Sequence, residues 1–433
     1  MKTKSNYIEK LFFVLSIFSA VLRLYNITYI NYALFAILFF SAITRKLTVD
    51  KFIYYSLFVP DKYLQILSVV IYLYLRKQLI PKKVNKRVTQ FIMFITSSAI
   101  INLLIHSGNV IQIAFQIVLY YCFIQFAHLG SKEHNTDVLF NTLTKLYWLQ
   151  IIICTIQLLY YHSGLDNIKG TFINAHYLGI FLVVYSFLVL KRKEKRKYYM
   201  CILALIWIII ADAKHVAVVF AFALLVDCFL RKIKIENHEL LFSMAVMFIG
   251  IVGIMYITNN PPAFLSDNNL FRIYVLNQEY NKKIVFLNRT LVNMLSLNGL
   301  FGFGVGLYGS QIAITMGKGV IYPWDKSLSN YRYISNPYKQ AMEGLMTQGY
   351  TLYGIGTSSM ALGYPLVSYI AMIAELGIVG YFGFVNIIDK EFNNCNKTLL
   401  IYFFIICLFD TYFEIPSVFV LLLIGTELTR KRK

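Results

Sequence analysis

Long apolar stretches recur along nearly the whole chain, and they constrain the fold more than any other feature of the sequence. A helix of about 17 to 25 apolar residues is long enough to cross the hydrocarbon layer of a bilayer. The composition agrees, because only 14% of the 433 residues are charged, whereas a soluble domain carries about a quarter. The sequence therefore excludes separate globular domains and predicts one all-α, polytopic transmembrane helical bundle.

The apolar stretches predict about twelve membrane spans, within a range of roughly 11 to 14. One extended polar stretch, rich in Asn, Tyr, Gly and Ser, interrupts them and contains segments with apolar residues at helical spacing. We expect short helices there, lying on the bundle as a lid. The predicted organisation is an N-terminal transmembrane bundle, a long extracytoplasmic loop and C-terminal transmembrane helices, over residues 1–257, 258–363 and 364–433.

One shorter apolar stretch, residues 52–75, has an ambiguous relation to the membrane. Pro60 and Asp61 interrupt it, and basic residues flank it on both sides. A helix loses a hydrogen bond at an internal proline, and Lys and Arg favour the cytoplasmic side. We expect a re-entrant hairpin or an interfacial helix here, with an even number of spans in the whole chain.

Positive charge is concentrated in short runs between the apolar stretches. Lys and Arg number 41 against 21 Asp and Glu, which gives a formal net charge of +20. Such an excess suits either nucleic acid or a membrane surface, and the position of the runs decides between them. Because cytoplasmic loops of multi-pass proteins carry clusters of this kind, we predict the lipid bilayer as a partner, no nucleic acid, and both termini in the cytoplasm. The densest runs are residues 76–87, 191–197, 231–234 and 430–433.

The sequence contains no pattern typical of a metal or cofactor site. Its six cysteines occur singly, and neither an Asp-x-Asp pair nor an HExxH motif is present. The glycine run from Gly299 to Gly309 is superficially like a dinucleotide-binding fingerprint, but no strand–helix–strand pattern surrounds it. It indicates either close packing of backbones or a turn that holds an anion. We predict neither a metal nor a cofactor.

Basic residues at the predicted outer ends of the spans are the first candidates for a binding site. Lys169, Lys214 and Arg289 come from three separate segments, and Arg272 lies in the long loop. A cation near membrane depth costs about 2.5 kcal/mol or more, so a group of them predicts an anionic ligand. The alternatives are an interfacial turn that pairs Lys214 with Asp212, and a solvated loop whose charges contact lipid headgroups.

Candidate proton acceptors are Glu279, Glu343 and His176. His176 lies close to Asn174 at the start of a span, where a hydrogen-bonded interface role competes with that of a base. Glu375 lies inside an apolar helix, so it is either structurally paired or titrates functionally. Aromatic residues of the long loop could stack on sugar faces; they include Tyr322, Trp324, Tyr331, Tyr333 and Tyr338.

Four short stretches follow one another between residues 140 and 430. They are Lys169-Gly-Thr-Phe-Ile-Asn174, Asp212-Ala-Lys214-His215, Arg289 with the glycine turn that ends at Gly306, and the helix from Ser368 to Gly380. Their order around one long loop resembles the O-antigen and capsule polymerase family (Wzy), part of the O-antigen ligase and polymerase superfamily. Lys169 and Lys214 stand where that family has arginine.

The resemblance implies an all-helical fold of the GT-C type and a metal-independent glycosyltransferase of the bacterial cytoplasmic membrane. Such an enzyme transfers a growing glycan from its polyprenyl pyrophosphate carrier to the next lipid-linked repeat unit on the outer face. It needs groups that neutralise the diphosphate and a base near the acceptor hydroxyl. The implied substrate-binding residues are Lys169, Lys214, Arg289, Arg272, Asn174 and His215; the base candidates are Glu279, Glu343 and His176.

Two other functions remain open from the sequence. An O-antigen ligase uses the same donor with a lipid A core acceptor, but Leu366 stands where ligase-like members have a histidine before the last helix. A lipid-linked oligosaccharide flippase or another transporter also needs cations and a cavity, yet transporters usually show paired halves, and no second copy of the long-loop arrangement is evident. For the polymerase, chain-length regulator and flippase proteins are the expected protein partners.

Overall fold

The computed structural model of the chain describes many of the predicted spans and part of the long loop. All regular elements in the described ranges are helices, and no strand occurs in them. The prediction of an all-α protein is therefore confirmed for this part of the chain. The described ranges are residues 2–25, 27–77, 86–105, 108–130, 136–161, 168–192, 197–211, 213, 215–220, 222–223, 278–308, 336–342, 368–392, 397–409 and 412–429.

The described helices are numbered here in chain order. The first nine are α1 Lys2–Leu24, α2 Ile30–Ile43, α3 Val49–Ser56, α4 Lys62–Leu75, α5 Lys86–Ile105, α6 Val110–Gly130, α7 Thr136–Tyr161, α8 Ala175–Arg192 and α9 Lys197–Ile210. After them come α10 Gln278–Asn293, α11 Leu297–Phe301, α12 Asn336–Met342, α13 Ser368–Phe392, α14 Lys397–Ile406 and α15 Pro416–Thr429. A 3-10 helix covers Tyr412–Glu414, and residues 215–220 are also helical. Helices α10, α11 and α12 confirm the prediction of short helices in the long loop.

Several described helices have the character of membrane spans. Four are long and apolar enough to cross a bilayer: Lys86–Ile105, Val110–Ala127, Asp137–Tyr161 and Ser368–Ile388. Shorter apolar helices accompany them over Ile30–Ile43, Lys62–Leu75, Ala175–Leu190, Tyr199–Ile210 and Pro416–Gly425. The described residues thus form an apolar helical bundle suited to a membrane. The count of about twelve spans, the GT-C arrangement and the boundaries near residues 257 and 363 stay predictions.

Residues 49–75 form two packed helices, α3 and α4, rather than one. The chain breaks at Pro60 and Asp61, as the sequence predicts, and the Asp61 side chain caps the start of α4. Gln65 fixes the connection, because its side-chain amide donates to the carbonyl oxygens of Leu57 and Val59 at 3.0 Å. The break is therefore confirmed, whereas the depth of this hairpin in the membrane stays a prediction.

An ion network around a buried carboxylate joins three helices near the start of α1. The carboxylate of Glu9, which is 4% exposed, pairs with Lys51 of α3 and with Lys145 of α7, the latter at 2.7 Å. A buried carboxylate without such partners would be strongly destabilising. Glu9 and Arg23 are about 21 Å apart along α1, at 1.5 Å per residue. The ion network therefore lies towards the N-terminal end of α1, whereas Arg23 lies at its C-terminal end.

Candidate functional site

Two glutamines of α7 hold the turn that follows this helix. Gln150 and Gln157 are seven residues apart, and so lie on one helical face. Gln157 accepts the backbone N–H groups of Lys169 and Gly170 at 2.9 Å and donates to the Gly170 carbonyl at 3.0 Å. Gln150 accepts from the Thr171 N–H and donates to its hydroxyl, both at 2.8 Å. These side chains thereby fix the backbone that carries Lys169.

Gly170 allows the turn to approach α7 this closely. Its φ of +57° lies in the left-handed region, where a side chain is strained. A Cβ atom at this position would lie 2.2 Å from Oε1 of Gln150. The glycine of the Lys169-Gly-Thr-Phe stretch is therefore required by the geometry of the turn.

Arg23, in the last turn of α1, reaches the same turn. Its Nη2 donates to the carbonyl oxygen of Phe172 at 3.1 Å. The Phe172 N–H donates to the carbonyl of Lys169 at 2.9 Å, so the two residues are the ends of one β-turn, about 7 Å or less apart. The Arg23 guanidinium therefore lies at the turn whose first residue is Lys169, although the two residues are 146 positions apart in sequence (169 minus 23).

The start of α8 brings two histidines together. Asn174 caps the helix, since its Oδ1 accepts the N–H of His176 at 2.8 Å. The rings of His176 and His215 lie 4.3 Å apart between centroids, and Nε2 of His215 is 2.7 Å from the hydroxyl of Tyr412. We call Arg23, Lys169, Asn174, His176, His215 and Tyr412 the rim cluster.

Ser368 anchors the part of the rim cluster that carries Tyr412. Its hydroxyl accepts the N–H of Phe413 at 3.2 Å, and its own N–H donates to the carbonyl of Cys407 at 3.1 Å. The first residue of α13 therefore ties the end of α14 to the 3-10 helix. The rim cluster draws on α1, α8, the helix at residues 215–220 and this C-terminal junction.

A buried carboxylate holds the glycine turn that follows α11. Glu375, which is 1% exposed, accepts the N–H of Gly306 at 2.9 Å and that of Tyr308 at 3.2 Å. Gly302, Gly304 and Gly306 have φ values of +79°, +90° and +78°, which favour glycine. Of the two roles that the sequence left open for Glu375, the structure shows the paired, structural one.

Helix α13 is broken where this turn meets it. Gly377 has φ +69° and ψ 171° inside the helix. A Cβ atom there would lie 2.3 Å from the Leu300 carbonyl oxygen and 2.4 Å from the Gly302 nitrogen. Of the two interpretations left open for the glycine run, the structure shows the close packing of backbones. The apolar helix expected around Glu375 is kinked rather than continuous.

Arg289 lies at a separate small core that residues of the long loop form with α13. Its Nη1 donates to the carbonyl of Ala341 at 3.2 Å, which joins α10 to α12. Phe286, Tyr308 and Tyr338 pack in this core, and Tyr338 is only 3% exposed. The expectation that Tyr338 stacks on a sugar is therefore wrong, because its ring is already packed against protein.

A further buried carboxylate, Glu414, was not anticipated from the sequence. It is 2% exposed and accepts a hydrogen bond from Nε2 of Gln116 at 2.9 Å. Arg23, Gln150 and Gln157 were also missed. The two glutamines could have been noticed, since polar residues seven apart in an apolar helix share one face. The sequence does not show, however, that they bind the backbone of the turn after α7.

The remaining predicted residues divide into two groups. Glu279 lies in the first turn of α10. Lys214, Arg272 and Glu343 lie outside the described residues, as do Tyr322, Trp324, Tyr331 and Tyr333. In the described part of the chain, no group of three or more His, Cys, Asp and Glu residues could hold a metal ion.

Comparison with known proteins finds no relative of this chain. No protein-family model matches the chain, and no curated protein and no solved structure is significantly similar to it. A functional assignment therefore depends on the residues themselves and on the resemblance of the four short stretches.

Proposed function

We propose that this chain is a polysaccharide polymerase of a bacterial cytoplasmic membrane. It transfers a growing glycan from a polyprenyl pyrophosphate carrier to the next lipid-linked repeat unit. The observation that carries this proposal is the rim cluster, which gathers Arg23, Lys169 and two histidines at one end of an apolar bundle. None of its six side chains is acidic. A diphosphate held at the membrane surface by its polyprenyl chain is an anion that suits such a place.

The spatial pairing of the four family-like stretches also supports the proposal. The stretch at residues 169–174 leads directly to His176, whose ring contacts His215 of the second stretch. The glycine turn ending at Gly306 is seated on Glu375 of the fourth stretch. Segments far apart in sequence are thus neighbours, as expected if they serve one function.

The proposed chemistry needs no metal. The acceptor hydroxyl attacks the anomeric carbon of the donor sugar, the bond from that carbon to the pyrophosphate oxygen breaks, and the diphosphate leaves with the electron pair. Lys169 of the rim cluster is proposed to stabilise the charge of the leaving group, and Lys214 and Arg272 are proposed to join it. Arg289, whose Nη1 donates to the Ala341 carbonyl in the separate small core, stays a candidate through the resemblance alone. The acceptor proton passes to a base. The candidates for that base remain His176, Glu279 and Glu343.

Analysis of surface glycans from a strain lacking this gene tests the proposal. A polymerase defect leaves glycans of a single repeat unit, so the ladder of longer chains should vanish from the gel. Complete absence of glycan from the lipid A core would instead indicate a ligase or a flippase. Unchanged chain lengths would contradict all three assignments.

Complementation with single variants then tests the site. Lys169→Ala should abolish long chains while the protein remains in the membrane, because the turn keeps its glutamine contacts but loses the charge. Lys169→Arg should keep partial function. Lys46→Ala is the matched control, since Lys46 is exposed at the far end of α2, and it should leave chain length unchanged. If the Lys169→Ala variant still makes full-length polymer, Lys169 does not belong to the substrate site.

A further inference from the structure

Arg23 is the member of the rim cluster that the family resemblance does not include. All four family-like stretches lie after residue 140, whereas Arg23 ends the first helix. Nevertheless, the fold brings its guanidinium to the carbonyl of Phe172, at the β-turn that begins with Lys169. A role for Arg23 must therefore come from its geometry.

The guanidinium of Arg23 is only partly used by the protein. It has five N–H donors, and one of them, on Nη2, donates a hydrogen bond to the Phe172 carbonyl. Its Nη1 atom is shielded from solvent and has no hydrogen-bond partner among the described residues. Leaving a charged donor unsatisfied away from water is costly, which indicates that a ligand supplies the missing acceptor.

The surroundings of Arg23 favour an anion as that ligand. Among the described residues Arg23 makes no ion pair, so its charge is not neutralised by a carboxylate there. The rings of Tyr25 and Tyr160, which pack at 5.8 Å, hold the end of α1 against the end of α7. The guanidinium is thereby kept beside the turn that carries Lys169, the next cation of the rim cluster.

We propose that Arg23 binds the diphosphate of the lipid carrier and gives the rim cluster a preference for diphosphate over monophosphate headgroups. In this proposal the carrier's headgroup reaches the buried Nη1 atom and supplies its missing acceptor, with Nη2 kept on Phe172 and Lys169 of the same turn beside the second phosphate. A diphosphate carries more negative charge and more acceptor oxygens than a monophosphate, so it gains more from two cations at one turn. This inference rests on the proposed function, because it assigns a further contact to the same carrier.

Binding of three lipids to the full-length protein in nanodiscs of neutral lipid tests this inference. The probes are polyprenyl diphosphate, polyprenyl monophosphate and uncharged polyprenol. Arg23→Gln should weaken diphosphate binding about tenfold or more, weaken monophosphate binding less, and leave polyprenol binding unchanged. Arg23→Lys should keep part of the affinity, since the charge remains but the fork geometry is lost.

Arg45→Gln is the control, because Arg45 is an exposed arginine at the far end of α2; it should bind all three lipids like the wild type. If Arg23→Gln binds diphosphate as tightly as the wild type, or weakens all three lipids equally as a purely structural defect would, the inference is wrong while the proposed function stands. If the wild type itself does not prefer diphosphate to polyprenol, the proposed function fails first.

Discussion

At the scale of single residues, buried polar side chains fix the loops of this molecule. Gln150 and Gln157 hold the turn of Lys169, and Glu375 holds the glycine turn. An unpaired buried N–H costs about 1 to 3 kcal/mol, so each of these side chains stabilises the backbone it contacts. The sequence predicted Lys169 and Arg289 as candidates because cations near a membrane are costly. It could not predict Arg23 or the glutamine contacts, since these depend on which helices meet.

Glu375→Ala should lower the stability of the protein by about 2 kcal/mol or more, because the N–H groups of Gly306 and Tyr308 lose their acceptor. Glu375→Gln should lose less, since an amide oxygen can still accept one of these bonds. Thermal unfolding in detergent measures both effects. Asp137→Asn is the control, because its carboxylate is 79% exposed and its pairing with Arg192 contributes little. A Tm for Glu375→Ala equal to that of the control would contradict a structural role.

Gln157→Leu should abolish long-chain polysaccharide while most of the protein remains in the membrane. The substitution keeps the approximate volume but removes three hydrogen bonds to Lys169 and Gly170, so the lysine loses its fixed position. Thr155→Val, on an exposed face of the same helix, should leave chain length unchanged. The gel of surface glycans and a membrane immunoblot give the two readouts; normal polymer with Gln157→Leu would show that the turn does not need this support.

At the scale of elements, the break in α13 shows what apolar patterning leaves out. Between Tyr369 and Gly380 the only charged residue is Glu375, and this pattern predicts an apolar helix with no sign of a break. The kink at Gly377 lies where the backbone of Leu300 and Gly302 packs directly against the backbone of α13. Two glycine segments about 75 residues apart, Gly302 and Gly377 (377 minus 302), define it together, and hydrophobic periodicity carries no information on such a pair.

Gly377→Ala should destabilise the protein by more than about 2 kcal/mol, because the new Cβ would overlap two backbone atoms at a positive φ. Gly383→Ala, six residues later in the same helix, should be neutral or slightly stabilising. Its Cβ would meet only Phe91, at an ordinary 3.6 Å, and alanine favours a helix over glycine. Thermal unfolding of the two variants in one detergent compares their stability. Equal Tm values would show that the close approach of the glycine turn to the kink in α13 does not contribute to stability.

At the scale of the whole molecule, composition and apolar stretches were enough to predict an all-α bundle suited to a membrane. They could not define which helices form the rim cluster. Helices that are apolar on nearly all sides give no preferred face, so their neighbours are set by packing and by a few polar contacts. The histidine pair is an example, since His176 and His215 meet only because α8 packs beside the helix at residues 215–220.

The orientation of the bundle can be tested with cysteines at opposite ends of α2. Tyr29, which is 81% exposed, precedes α2 on the side where Arg23 ends α1, and Arg45 follows α2 at its other end. In intact cells a membrane-impermeant maleimide should label Tyr29→Cys, whereas Arg45→Cys should react only after the membrane is opened. The wild type gives the background from its own thiols. Labelling in the reverse order would place the rim cluster in the cytoplasm, away from the proposed substrate.

Elongation of lipid-linked repeat units by the purified protein is the most direct test of the central claim. The substrates are polyprenyl-diphosphate-linked repeats extracted from a strain that lacks this gene, and the protein is reconstituted in nanodiscs without added nucleotide or metal. We predict that wild-type protein converts them into longer lipid-linked glycans, and that Lys169→Ala protein does not. Repeats that stay at unit length with folded wild-type protein, or equal elongation by Lys169→Ala, would contradict the account.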